Sequence, residues 1–106
     1  MFDYYTIVGT GYNWRMAGEI GIGRRARIFA ALSDPNRLRI VELLAERGEM
    51  SGSELARGLG ISLALYSHHS KTLVEAGLIK RRKQGQTGYC SLDRDLLRDC
   101  AGSLIR

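Results

Sequence analysis

The sequence has little of several residue types, and each shortage narrows what it can be. Among 106 residues there is one proline, Pro35, with two cysteines, Cys90 and Cys100, and two histidines, His68 and His69. Two cysteines are too few for a disulfide-dense secreted scaffold, so free thiols in a reducing compartment are expected. No apolar run approaches membrane-spanning length, and no charged start followed by an apolar stretch marks a signal peptide. A cytoplasmic protein is the expectation. The chain also lacks a nucleophile elbow, a phosphate loop, a metal motif and an evident carboxylate pair, so neither an enzyme nor a cofactor is expected. Acidic residues are the minority, 11 against 16 Lys and Arg, leaving a formal net charge of +5. A small basic domain points first to nucleic acid and second to an acidic membrane or partner surface.

What is present is globular. Hydrophobic residues make up 44% and charged residues 25%, a balance that argues against disorder. The length suits one domain with a modest core, and a fold this small often completes its core by dimerising.

Residues 1–23 differ from the rest. They hold Phe2, Tyr4, Tyr5, Tyr12 and Trp14, five of the eight aromatics, together with Gly9, Gly11, Gly18, Gly21 and Gly23. No period is sustained, so the segment reads as an irregular aromatic arm, helical at most from about Tyr12. A loosely packed tail, a start at Met16 and an arm covering a partner or ligand are the three readings, the first two favoured because termini are often poorly tied down.

From Arg24 onward, residues 24–106 read as one domain. "RRARIFAAL" sets Ile28, Phe29 and Leu32 on one helical face. In "SDPNRLRIVELLAERG", Ser33 or Asp34 caps, Pro35 suits the first helical position and Gly48 the stop. Leu38, Val41, Leu44 and Ala45 make its apolar stripe, with Arg37, Arg39, Glu42 and Glu46 facing out. "SGSELARGLG" has the Ser51–Glu54 capping-box spacing, an inner side of Leu55, Ala56 and Leu59, and a stop at Gly60. "ISLALYSHHSKTLVEAGLI" is a helix capped by Ser62 that runs to about Ala76. "LIKRRKQGQTGYCSL" then alternates as two strands around Gln84-Gly85-Gln86. "DRDLLRDCAGSLI" closes as a helix with Leu96, Leu97, Cys100, Ala101 and Leu104 on one face. The order is helix, helix, helix, helix, hairpin, helix. This predicts a mainly α chain with a small β-hairpin (α+β), arranged as a winged helix-turn-helix.

The basic charge is concentrated. Between Leu63 and Leu92 stand Lys71, Lys80, Arg81, Arg82 and Lys83 against Glu75 alone, five minus one, or +4 of the total +5. Such a cluster on one surface gives phosphate contacts and strong salt dependence. The bland alternative is a solvated hairpin whose charges protect an edge strand.

Three stretches together resemble the ArsR/SmtB family of bacterial winged-helix repressors. "LSDPNRLRIVELL" is similar to the family's second-helix opening, "SHHSKTLVEAGLI" to its recognition helix and exit, and "KRRKQGQTGYCSL" to its wing, ending at Tyr89 and Leu92. The resemblance covers residues 31–92. It implies a homodimer that binds operator DNA and releases it on binding an inducer, often a metal ion. It also implies sensing sites that this chain departs from. Where the family places a Cys-x-Cys pair, the chain reads "EMSGSEL", and Met50, Ser51, Gly52 and Ser53 offer no thiolate. Along the last helix Asp93, Asp95 and Asp99 are present without a histidine, and carboxylates alone bind transition metals poorly. No metal site is therefore expected.

The adjacent histidines invite a metal reading, yet successive helical residues point about 100° apart. Their rings diverge, and no third histidine completes a site. Tyr66, Ser70 and Leu73 are spaced as the buried face, with His69 beside them as packing or a polar brace. Ala64, Ser67, His68, Lys71 and Glu75 form the opposite face. Relative to the family, Ser70 stands where leucine is usual and Tyr66 where valine is usual, so the tyrosine ring is expected to fill the space.

The residues expected to contact DNA are Ser62, Ala64, Ser67, His68 and Lys71 in the recognition helix (residues 63–76), and Lys80, Arg81, Arg82, Lys83 and Gln86 in the wing (residues 78–92). Ile28, Phe29, Leu96, Leu97, Cys100 and Leu104 are expected at the dimer interface. Cys90 and Cys100 are redox candidates, with plain packing the favoured reading for Cys100. The function expected is a homodimeric transcriptional repressor of double-stranded operator DNA, released by an inducer the sequence does not identify. The alternatives are a cysteine-based oxidant-responsive or reactive-sulfur-responsive repressor and a winged-helix protein-interaction module.

Overall fold

The computed structural model describes residues 20–105. The aromatic arm's Phe2, Tyr4, Tyr5, Tyr12 and Trp14, and the alternative start at Met16, lie outside the described residues.

Helix α1 spans Ile22–Ala31 and α2 spans Pro35–Arg47. Strand β1 is Met50–Ser51, followed by α3 at Gly52–Leu59 and α4 at Leu63–Glu75. Strands β2 (Ile79–Gln84) and β3 (Thr87–Leu92) form the wing, and α5 spans Arg94–Gly102. This is the expected order with one addition. The sequence pattern treated Met50 and Ser51 only as the lead-in to a helix. They instead pair antiparallel with β3, Met50 opposite Cys90 and Ser51 opposite Tyr89, in a sheet ordered β1-β3-β2.

Side-chain caps open the helices from α2 onward. The Asp34 carboxylate accepts from the backbone N–H of Asn36 at 2.8 Å and of Arg37 at 3.1 Å, with Pro35 at the first helical position. In α3 the capping box is complete: Ser51 Oγ accepts from Glu54 N at 3.1 Å and Glu54 Oε1 accepts from Ser51 N at 2.8 Å. Ser62 Oγ accepts from Leu65 N at 3.1 Å to start α4, and Asp93 Oδ1 from Leu96 N at 3.0 Å to start α5. Between α3 and α4, Gly60 takes φ +69°, a left-handed backbone open to glycine at little cost. The wing turns at Gly85 with φ +63°, glycine at the first position of a two-residue hairpin loop.

The core is built by Ile28 from α1, Ile40 and Leu44 from α2, Leu55 from α3, Leu73 from α4, Leu78 and Ile79 at the wing's base, and Cys100 from α5. Two expectations about faces are corrected here. The stripe of α2 is Ile40, Val41, Leu43 and Leu44, whereas Leu38 is 46% exposed and Ala45 is exposed. The helix enters the core from a slightly different rotation than the i, i+3 count from Leu38 implied. On α1, Ile28 is buried but Phe29 is exposed, so the two do not share one environment. Long polar side chains brace the outer helices. Arg94 donates to Ala45 O at 2.7 Å, tying α5 to α2, and Arg25 donates to Ser103 Oγ at 2.8 Å, tying α1 to the end of α5.

Candidate nucleic-acid interface

Helix α4 follows α3 across a three-residue turn, which makes a helix-turn-helix with α4 as the reading helix. Its inner side holds Tyr66, His69, Ser70 and Leu73, all buried. Three of these carry polar atoms, and each is matched. Tyr66 Oη lies 3.0 Å from Cys90 Sγ on β3. The Ser70 hydroxyl donates to Ser67 O at 3.2 Å and accepts from the Arg81 guanidinium on β2. His69 Nδ1 lies 3.2 Å from Arg37 Nη1 and 3.7 Å from Asp34 Oδ1, and its Nε2 lies 3.5 Å from the Asn36 amide. His69 is thus the polar brace between α4 and the start of α2. Burial, followed by the hydrogen bond to Cys90, pushes the Tyr66 hydroxyl's pKa up and keeps it protonated. The backbone N–H of Arg37 leads the interactions that hold the Asp34 carboxyl below the ordinary carboxylate range.

Fixing the inner side turns Ala64, Ser67, His68, Lys71 and Glu75 outward, and all five are exposed. His68 and His69 meet edge to face, centroids 5.5 Å apart and planes at 64°, rather than converging on a common point. Among the described residues, no three or more His, Cys, Asp or Glu side chains come together as a metal-binding group. Asp93 is engaged as a helix cap, and Asp95 pairs with Arg98 at 3.0 Å.

The wing stands beside α4. Past Ile79 every residue of β2 is exposed. Between α4 and the wing runs a cleft of about 570 Å³, with Leu63, Ser67, Lys71, Arg81 and Gln86 on its walls and no carboxylate in its lining. It ends at Tyr66 and Cys90. A Cβ on Gly52, at the start of α3, would come within 2.9 Å of Tyr66 Cε2, so glycine there lets the ring lie against the backbone.

The five basic residues are not equivalent. Lys71, Lys80 and Lys83 are exposed with no ion-pair partner among the described residues. Arg81 reaches back to Ser70. Arg82, expected among the DNA contacts, is paired within the chain. Its Nε and Nη2 donate to the two Glu49 oxygens at 2.7 Å each, Nη1 donates to Gln84 at 2.9 Å, and the guanidinium lies 4.7 Å above the Tyr89 ring. The Arg82 hydrogen bond holds the Glu49 carboxyl below its ordinary range. Ser62 also has a local task, since its side chain caps α4. The pairing of Arg82 with Glu49 joins positions 33 residues apart, and no local pattern announces it. The Arg81 link had a signal in the sequence: a serine on a buried helical face needs a partner.

The residues expected at a dimer interface divide. Ile28 and Cys100 are 0% exposed in the single chain, so they support that face from beneath and offer it no area. Phe29 is 36% and Leu104 68% exposed, while Leu96 and Leu97 are half-buried. The two redox candidates are both sheltered from solvent. Cys90 and Cys100 are free but buried, and burial pushes the Cys100 thiol up, away from the reactive thiolate.

Residues 32–82 match a family described as a helix-turn-helix domain. The chain is 46% identical over 72 residues to an uncharacterised HTH-type transcriptional regulator, YceK, of Bacillus subtilis, covering 67% of this chain and 72% of that one. It is 38% identical over 72 residues to the transcriptional repressor SdpR of the same organism, covering 68% and 79%. A solution structure from Mycobacterium bovis, described as the homodimeric winged helix-turn-helix DNA-binding domain of a possible ArsR-family transcriptional regulator, superposes with a TM-score of 0.69 at 29% identity, covering 85% of this chain and 88% of that one.

Proposed function

We propose that this chain, which belongs to the ArsR family of helix-turn-helix transcriptional regulators, is a homodimeric repressor that holds operator DNA in the cytoplasm. Helix α4 enters the major groove and presents Ala64, Ser67, His68 and Lys71. The wing lies along the adjacent backbone, where Lys80, Lys83 and Gln86 meet phosphates. Arg81 and Arg82 mainly hold the wing in place. The protomers join through α1 and α5, where Phe29, Leu96, Leu97 and Leu104 present the apolar surface. The two-fold axis then sets two half-sites about one helical turn apart.

The observation that carries this reading is the outward surface of α4 and the wing. It exposes Lys71, Lys80 and Lys83, which have no ion-pair partner among the described residues, and borders a cleft without a carboxylate in its lining. The relative named as a repressor and the homodimeric neighbour support the same reading. A redox-operated version has less support, since oxidants need access to a thiolate and both thiols are buried.

The test is fluorescence anisotropy of the reduced protein on DNA from its own upstream region, beside a scrambled duplex, across a salt series. Preference for the upstream duplex with a steep salt slope is the expected outcome. Absence of binding to either duplex at low salt would favour the protein-interaction module. Adding zinc or an oxidant to the bound complex then tests the class of inducer.

A further inference from the structure

We infer that the first turn of α4 selects thymine by its C5-methyl group, with Leu63 and Ala64 as the reading side chains; this deepens the DNA-binding reading and rests on it.

The polarity of α4 is inverted along its length. Its inner side buries a histidine and a serine, while its first turn exposes Leu63 at 56% and Leu65 at 41%, with Ala64 exposed between them. At about 100° per residue, Ala64 lies near the centre of the outward arc, in line with Ser67, His68 and Lys71. Leu63 and Leu65 sit on its two shoulders, and Leu63 also walls the cleft beside the wing. None of the three side chains bears a donor or acceptor. The nearest hydroxyl, on Ser62, is engaged in capping the helix.

The N-terminal residues of a reading helix are those that approach base edges. An apolar first turn cannot hydrogen-bond to guanine, cytosine or adenine there. The one apolar feature the major groove displays is the thymine methyl. Polar groups begin one turn later, with Ser67, His68 and Lys71, and Lys71 and Arg81, in a cleft lining that holds no carboxylate, favour a polyanion over an apolar protein surface as what covers these leucines. Selectivity in the first turn therefore comes from burying methyls, and hydrogen-bonded reading is confined to the second.

The full-length protein is used to enrich duplexes from a random library. Each thymine of the enriched half-site is then replaced by uracil, which pairs identically and lacks only the methyl. Binding is compared at fixed salt. Burial of one methyl predicts that replacement at one or two thymines weakens binding about fourfold each. Leu63→Ser should bind the thymine site more weakly and show no further loss with uracil at the matching position. Leu63 is exposed, so this variant folds, and circular dichroism checks it. Equal affinity for thymine and uracil at every position would overturn the inference while leaving DNA binding intact. An unchanged uracil penalty in both Leu63→Ser and Ala64→Gly would overturn it too. Failure to enrich any sequence would instead remove the DNA-binding reading on which the inference rests.

Discussion

Helices α2 and α4 are both 13 residues long and pack into the same core, yet they divide their residues in opposite ways. α2 buries Ile40, Val41, Leu43 and Leu44 and turns Arg39, Glu42 and Glu46 to solvent. α4 buries two polar side chains and a tyrosine with only one aliphatic residue, Leu73, and exposes two leucines. Burying apolar area is the main source of stability, at about 25 cal/mol per Å². By that measure α2 is a stabilising element. α4 is held by specific hydrogen bonds that fix its rotation and its distance from the wing, and its apolar residues are left to face outward. The contrast separates a helix whose residues hold the fold from one whose apolar residues are left at the surface.

The comparison breaks most sharply in α2. Leu44 is 0% exposed, so Leu44→Ala should cost about 2–5 kcal/mol in denaturant unfolding, with DNA affinity per folded molecule unchanged. In α4, Tyr66→Val removes a buried ring and its hydrogen bond to Cys90. It should cost about 2–4 kcal/mol and also weaken DNA binding, because the link from reading helix to wing is lost. A Tyr66→Val protein of unchanged stability would show that the ring does not fill the room beside Ser70. Next come the cations. Lys83→Ala should leave stability alone and lower the slope of log affinity against log salt by about one. Arg82→Ala should change that slope less, because Arg82 is already paired with Glu49, and Glu49→Gln should raise affinity by releasing it. The smallest effect is on pH. Tyr66 and Cys100 are both kept protonated by burial, so their folded pKa values lie above their unfolded ones. Their contribution is complete below the unfolded cysteine pKa of roughly 8.5 and is lost progressively as pH rises beyond it. Thermal melts between pH 7 and 10 read that decline, and Cys100→Ala should flatten part of it.

Local chemistry was legible in the sequence. The capping box at Ser51 and Glu54, the cap at Ser62, the stop at Gly60 and the hairpin at Gly85 each depend on neighbours within a few residues, and all appear as read. The rotation of α4 was legible too, because Tyr66, Ser70 and Leu73 keep helical spacing whatever their polarity. What escaped depends on distance along the chain. β1 is two residues long, too short for any period, and exists only because β3 returns 40 positions later to pair Met50 with Cys90. The Glu49–Arg82 pair is non-local in the same way, and it changed the count of free cations at the candidate interface. The exposure of Leu38 was missed because a stripe drawn from i, i+3 spacing tolerates a rotation that the core does not.

The close approach of Gly52 to Tyr66 makes one backbone position a point of leverage on the reading helix. The segment from Met50 to Ser53 is where the resemblance would place metal-binding thiolates, and here its glycine leans on the tyrosine that positions the reading helix. One methyl group added at position 52 would press on that ring without altering any residue that faces DNA. Gly52→Ala, a single nucleotide change, is therefore expected to weaken DNA affinity through the ring while leaving the preferred sequence unchanged, which binding to the enriched duplex and to its base-pair variants would read.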